Sequence, residues 1–195
     1  MLGNGRPFVL EMVNPRRRYN VTEEDFLQLK NQINKSKDVN VTDLEFTDEN
    51  CFKELTHSAN SKVKAYCCII TVDKINKDLV DKLNSSQDIQ IKQMTPLRVL
   101  HRRTLMVRDK VIHKCHVEWL NDHYGVCFVL SSAGTYIKEF VHGDLNRTKP
   151  NIKSLLNTEA DIIQLDVLYL YDKISEETVK HFDSLVTQYT GKLNK

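Results

Sequence analysis

Residues 65–72 (A-Y-C-C-I-I-T-V) form an almost unbroken, β-branched apolar run, and no other stretch of this chain restricts its fold as much. A strand with one face in water alternates apolar and polar residues. Continuous apolarity over this length implies burial on both faces, so the spacing predicts an interior strand over Lys62–Asp73. Downstream, Val107–Leu120 and Gly125–Ser132 read as two long strands. Asn121, Asp122, His123 and Tyr124 between them supply hairpin chemistry.

The remaining elements follow from local signals. Arg6–Val13 reads as a strand stopped by Asn14-Pro15, and Val39–Phe46 as a strand with an irregularity. Thr22 offers an N-cap ahead of a helix over 22–34, and a short helix is expected near 48–56. Ile75, Leu79, Val80 and Leu83 predict a helix at 75–84, followed by a strand at 88–94 that Thr95-Pro96 ends. Gly134-Thr135 opens a helix through Phe140 and Val141, Gly143–Pro150 reads as a basic loop, and Ile162–Leu170 as a strand. Ser175, with Glu176 and Glu177, caps an amphipathic helix carrying Val179, Phe182, Leu185, Val186 and Tyr189. Strands and helices are mixed without regular β-α-β alternation. The expectation is an α+β fold, a mixed and largely antiparallel sheet with helices packed on it.

Composition narrows the function classes. At 41% hydrophobic and 28% charged residues the chain is an ordinary globular one, without a long apolar run to span a membrane or an N-terminal apolar leader. Five cysteines, an odd number without a C-x-x-C pair, suggest neither a disulfide framework nor a four-cysteine zinc site. His113, Cys115 and His116 lack a fourth ligand and read as strand positions, so no metal is expected. A reducing compartment follows, nucleus or cytoplasm. Net charge is only +2, but it is segregated: Lys92 to Lys114 hold seven basic residues against Asp109 alone, and Arg16, Arg17 and Arg18 form a second run. Such segregation builds either a face for a polyanion or a solvated surface.

No nucleophile-elbow, zinc-protease, phosphate-loop or dinucleotide signature occurs. Three other features stand out. Tyr66 lies within a strand that should be buried, as a core residue with a satisfied hydroxyl or as a pocket wall. Lys138 follows Ile137 where a strand gives way to a helix, either exposed or turned into a cleft toward an anion. Arg98, His101, Arg102 and Arg103 crowd into six residues, and the planar fork of arginine suits phosphate oxygens.

In order along the chain, M-L-G-N-G-R-P-F at 1–8, K-x-Y at 64–66, T-P-L-R-V-L-H-R-R at 95–103, A-G-T-Y-I-K-E-F-V-H-G-D at 133–144 and R-T-K-P-N-I at 147–152 resemble one family. It is the archaeal and eukaryotic tRNA pseudouridine synthase of the TΨC arm, the Pus ten family. The long strings are specific, whereas K-x-Y gains its force from position. The likeness runs to about Tyr171, giving a partial catalytic domain over 1–171 and a helical tail over 172–195.

The resemblance implies isomerisation of uridine to pseudouridine in tRNA without a cofactor, by a monomer. Tyr66 falls on the family's active-site tyrosine, and Lys138 on the basic residue that pairs with its catalytic carboxylate. Ile137 and Leu165 match apolar walls of the uracil pocket. Arg98, His101, Arg102, Arg103, Arg147 and Lys149 would lie along the tRNA backbone. The family's nucleophilic aspartate sits in a loop just ahead of the L-G-N-G-R-P-F string, and no aspartate precedes Asp25 here. This chain by itself is therefore expected to be inactive, its sheet truncated and left with an unpaired edge. A non-catalytic RNA-binding module on the same fold is the alternative.

Overall fold

The computed structural model describes residues 5–16 and 21–193. It divides into two compact units, residues 6–57 and a larger one from Ser58 onward. In the small unit, helix α1 (Glu23–Ile33) starts where its sequence says it should. The Thr22 hydroxyl accepts from the Asp25 N–H, and the Asp25 carboxylate accepts in return from the Thr22 N–H at 2.8 Å, a reciprocal capping box. Helix α2 (Asn50–Ser61) fulfils the helix expected near 48–56.

Neither strand expected in this unit forms. Residues 6–13 form no strand or helix, and Leu10, Met12 and Val13 are each more than 70% exposed. An apolar strand without a neighbour gains neither ladder bonds nor burial, and no strand pairs with it among the described residues. Residues 39–46 are organised by side chains instead. The Asn34 amide bonds both the N–H and the C=O of Val41, at 2.7 and 2.9 Å, and Phe46 meets Phe26 edge-on at 4.9 Å.

The larger unit is built on a six-stranded sheet in the order β5-β2-β3-β4-β1-β6. Its strands are β1 (Val63–Val72), β2 (Gln87–Met94), β3 (Val107–Trp119), β4 (Tyr124–Ser132), β5 (Thr148–Lys149) and β6 (Ala160–Tyr171). Every pairing is antiparallel, a more uniform sheet than the mixed one expected, and the fold is α+β. β1 lies inside, between β4 and β6, and its apolar run divides between two cores. Tyr66, Cys68, Ile70 and Val72 face a front cluster; Val63 and Ala65 face a back one.

Helices α3 (Lys77–Ser85), α4 (Ile137–His142) and α5 (Ile152–Leu156) cover the front, inserting Val80, Leu83, Ile137, Phe140, Val141, Ile152 and Leu156. Helix α6 (Glu176–Leu193) covers the back with Phe182 and Val186 over Val126, Phe128 and Leu130. Lys114 fastens it at Asp183, and the Tyr171 hydroxyl meets His181 Nδ1 at 2.9 Å. The two-residue β5 falls within Gly143–Pro150, read as a basic loop, and α5 follows just beyond it, where the sequence pattern marks no element. At the end of α4, Gly143 (φ +79°) closes the helix in the left-handed region, where a Cβ would fall 2.7 Å from the Asn151 amide nitrogen. Among the described residues no helix is long and apolar enough to cross a membrane.

Candidate active site

The front face brings three of the expected pocket residues together. Tyr66 and Ile137 belong to one buried cluster, and Leu165 packs against it from β6. In register, Tyr66 stands between Val129 of β4 and Val167 of β6, and Cys68 stands opposite Leu165. Tyr66 is 9% exposed, and burial pushes its phenol above the ordinary tyrosine range. Its hydroxyl makes no hydrogen bond to any described residue. A core tyrosine normally finds a partner for its O–H, so a hydroxyl without one is compatible with a pocket wall.

Lys138 is the next residue after buried Ile137 on α4, on the same side of the sheet as Tyr66. It is exposed, and its ammonium has no ion-pair partner among the described residues. The segment that carries it is fastened from three directions. Gln93, 1% exposed on β2, donates to the Tyr136 carbonyl at 3.0 Å and accepts from the Tyr136 N–H at 2.9 Å. Lys110 of β3 donates to the Ala133 carbonyl at 2.6 Å, and burial there, with Arg108 close by, lowers its ammonium pKa. Arg98 bonds Glu139 through Nε at 2.7 Å and Nη2 at 3.4 Å. Nothing in the local sequence marks Gln93 or Glu139 as buried. A polar side chain declares its burial only through a partner, and these partners lie 43 and 41 positions away.

The basic residues divide into two groups. Residues Leu97–Arg102 form a 3-10 helix after Pro96, rooted by a bond from the Leu97 N–H to Asp144 Oδ2 at 3.2 Å. Arg98 is occupied by Glu139, and its guanidinium lies 5.8 Å from the Tyr136 ring centroid. Arg147 is half-buried, donating to the Thr95 carbonyl at 2.8 Å and lying 3.4 Å from Asp144. His101, Arg102, Arg103 and Lys149 are exposed and free of partners among the described residues. Lys149 pairs in register with Lys92 at the β5–β2 edge. Met1–Asn4 of the first matching string and Arg17 and Arg18 of the basic run lie outside the described residues. A hollow of about 1140 Å³ lies apart from Tyr66 and Lys138, between the end of β1 and the turn after α4. Asp73, Asp144, Glu159 and Asp161 line it, which suits it poorly to phosphate.

The model of the family described as "Pus10, C-terminal" matches residues 1–170. The chain belongs to that family. It is 45% identical over 168 residues to a tRNA pseudouridine synthase Pus10 of Homo sapiens, covering 85% of this chain and 32% of the relative. The protein of that name from Pyrococcus furiosus is 37% identical over 177 residues, covering 89% and 44%. This chain thus spans less than half the length of each of these two relatives. Among solved structures, a Cbf5-Nop10-Gar1 complex aligns with 64% of this chain and 36% of its own, at 19% identity and a TM-score of 0.46, too loose a likeness to bear on function. Helix α6 lies beyond the matched residues, yet it seals the back of the family's sheet.

Proposed function

We propose that this chain supplies the tyrosine and lysine side of a tRNA pseudouridine synthase pocket, acting on a uridine of the TΨC arm. One observation carries the reading: a nearly buried tyrosine shares a sheet face with a helix that carries an exposed lysine, and neither the hydroxyl nor the ammonium has a partner among the described residues. The family supplies the chemistry that needs both. Conversion of uridine to pseudouridine breaks the N1–C1′ bond and forms a C5–C1′ bond. C5 gives up a proton and N1 takes one, so no cofactor is consumed.

Tyr66 stacks on the extruded base and is placed to assist removal of the C5 proton. Ile137 and Leu165 wall the ring in, excluding water while the uracil is free. Lys138 keeps the nucleophilic carboxylate ionised, because an opposite charge in a partly dry pocket favours the charged form. His101, Arg102, Arg103 and Lys149, with no partner among the described residues to give up, track the RNA backbone. The carboxylate itself comes from outside these residues, and the working protein is a monomer of the nucleus or cytoplasm. A non-catalytic RNA-binding module is the second reading, favoured by the same basic residues, which have no side-chain partner among the described residues.

The experiment joins the aspartate-bearing segment of a relative ahead of Met1 and follows tritium release from TΨC-arm RNA labelled at uridine C5. The joined protein is expected to turn over, and Tyr66→Ala and Lys138→Met each to lower the rate by at least about a hundredfold, as for lost acid–base and electrostatic groups. The chain by itself is expected to bind tRNA without release. Turnover by the unextended chain, or by the joined Tyr66→Ala variant at the parent rate, removes the proposal. A joined protein that binds tRNA but never turns over selects the second reading.

A further inference from the structure

We infer that Arg98 is a positioning residue, which holds α4 and therefore Lys138 by closing on the buried carboxylate of Glu139, and does not contact RNA phosphate. The inference deepens the proposed reading, since the helix it fixes carries the lysine of that pocket. Glu139 is 1% exposed, and Arg98 is its only charged partner among the described residues. Two bonds at 2.7 and 3.4 Å present the guanidinium fork to both carboxylate oxygens. The same guanidinium lies over Tyr136, three residues before Glu139 and thus on the same face of the chain. Arg98 grips α4 on both sides of Lys138.

The grip is hard to release. A carboxylate sealed from water and stripped of its cation is among the costliest groups a fold can hold, so a phosphate drawing Arg98 away would leave Glu139 stranded. The Glu139 contact also raises the guanidinium pKa. The root of the arginine segment is fixed too, by the Leu97 N–H on Asp144 and by Arg147 on the Thr95 carbonyl. Arg102 and Arg103 carry no such duty. Three arginines that look equivalent in the sequence thus divide into one brace and two cations without a partner among the described residues.

Against this stands the exposure of the Arg98 side chain, 53%, which leaves room for a phosphate contact. The two roles give opposite results in the intact 195-residue chain. Each phosphate contact adds roughly 0.7–0.9 to the slope of log K against log salt concentration for tRNA binding. Arg102→Ala and Arg103→Ala should each lower the slope by about that amount and leave the melting temperature within about 1 °C. Arg98→Met should leave the slope unchanged and lower the melting temperature by roughly 5–10 °C. Adding Glu139→Met, which removes the stranded charge, should restore most of the loss.

A second readout follows Lys138 directly. In protein carrying ¹³C-methylated lysines, with the Lys138 signal assigned through Lys138→Arg, Arg98→Met should shift that signal and the Arg102 and Arg103 variants should not. A slope reduced in Arg98→Met as much as in Arg102→Ala overturns the inference. So does a melting temperature that Glu139→Met fails to recover, or a Lys138 signal that stays in place. A chain that binds no tRNA defeats the proposed function, while the melting and lysine readouts still decide the role of Arg98.

Discussion

Replacing Phe182 by alanine tests whether α6 is part of the domain or an appendage to it. The side chain is fully buried among Val126, Phe128 and Leu130 of β4 and Val63 and Ala65 of β1. Deleting a sealed phenyl ring costs about 3–5 kcal/mol, the transfer energy of the lost atoms plus the cavity they leave. For a chain of 195 residues, each kcal/mol is worth about 2–4 °C, so the melting temperature should fall by roughly 6–20 °C. Tyr189 supplies the comparison. It sits on the same helix, 38% exposed, with its ring 6.1 Å from that of Phe128. Tyr189→Ala should cost only about 1 kcal/mol, or a few degrees. Far-UV circular dichroism melts, checked by urea midpoints, read both variants on the parent scale. If Phe182→Ala melts within 3 °C of the parent, or no lower than Tyr189→Ala, the back-face core does not exist as described. The consequence reaches the front face, because the β1 residues beneath α6 flank Tyr66.

Two further outcomes are expected. Of the five cysteines, the Cys68, Cys115 and Cys127 thiols are sealed in the front core and Cys67 is pushed up to about 11, chiefly by burial. Ellman's reagent at pH 8 should therefore react quickly with Cys51 alone in folded protein and with all five in denaturant; three fast thiols without denaturant would contradict the packing. At alkaline pH, Tyr171 is pushed up to about 12 by burial and then by Tyr169, and Tyr66 is raised by burial. An unfolded tyrosine ionises near 10, before either folded one, so their contribution is complete below pH 10 and is lost as pH rises toward 12. The urea midpoint should fall between pH 9 and 11, and less so in Tyr66→Phe/Tyr171→Phe; an equal fall in both proteins would refute the assignment.

What could be read from the sequence was what neighbours along the chain decide. The β1 run, the β3–β4 hairpin, the Thr22 cap and the amphipathic α6 each announce themselves by a local pattern of neighbouring residues, and each is present. The strands at 6–13 and 39–46 fail because alternation predicts what a segment would do beside a partner and cannot show that the partner is there. The site divides along the same line. Tyr66, Ile137 and Leu165 converge because strand parity and helix spacing fix their faces. The division of labour among the arginines was illegible, because it depends on Glu139, a helical carboxylate with nothing local to mark it as buried.

That division explains how so short a helix can present a lysine with precision. α4 has six residues, too few to hold itself, and helix propensity contributes little at that length. Its order comes from outside: Gln93 fixes the peptide where it begins, Lys110 the turn before it, Arg98 its buried carboxylate, and Asn151 packs under Gly143 at its end. Phe140 and Val141 anchor it in the front core. Lys138 is the ionisable side chain of α4's first turn that those anchors leave unbonded, and a cation held on a fixed backbone without a partner is preorganised for an anion that arrives with another segment or with the substrate. Substitutions at Gln93 and Lys110 should then act on the rate of the joined protein through Lys138, by blurring its position, while leaving the affinity for RNA phosphate to Arg102, Arg103 and Lys149.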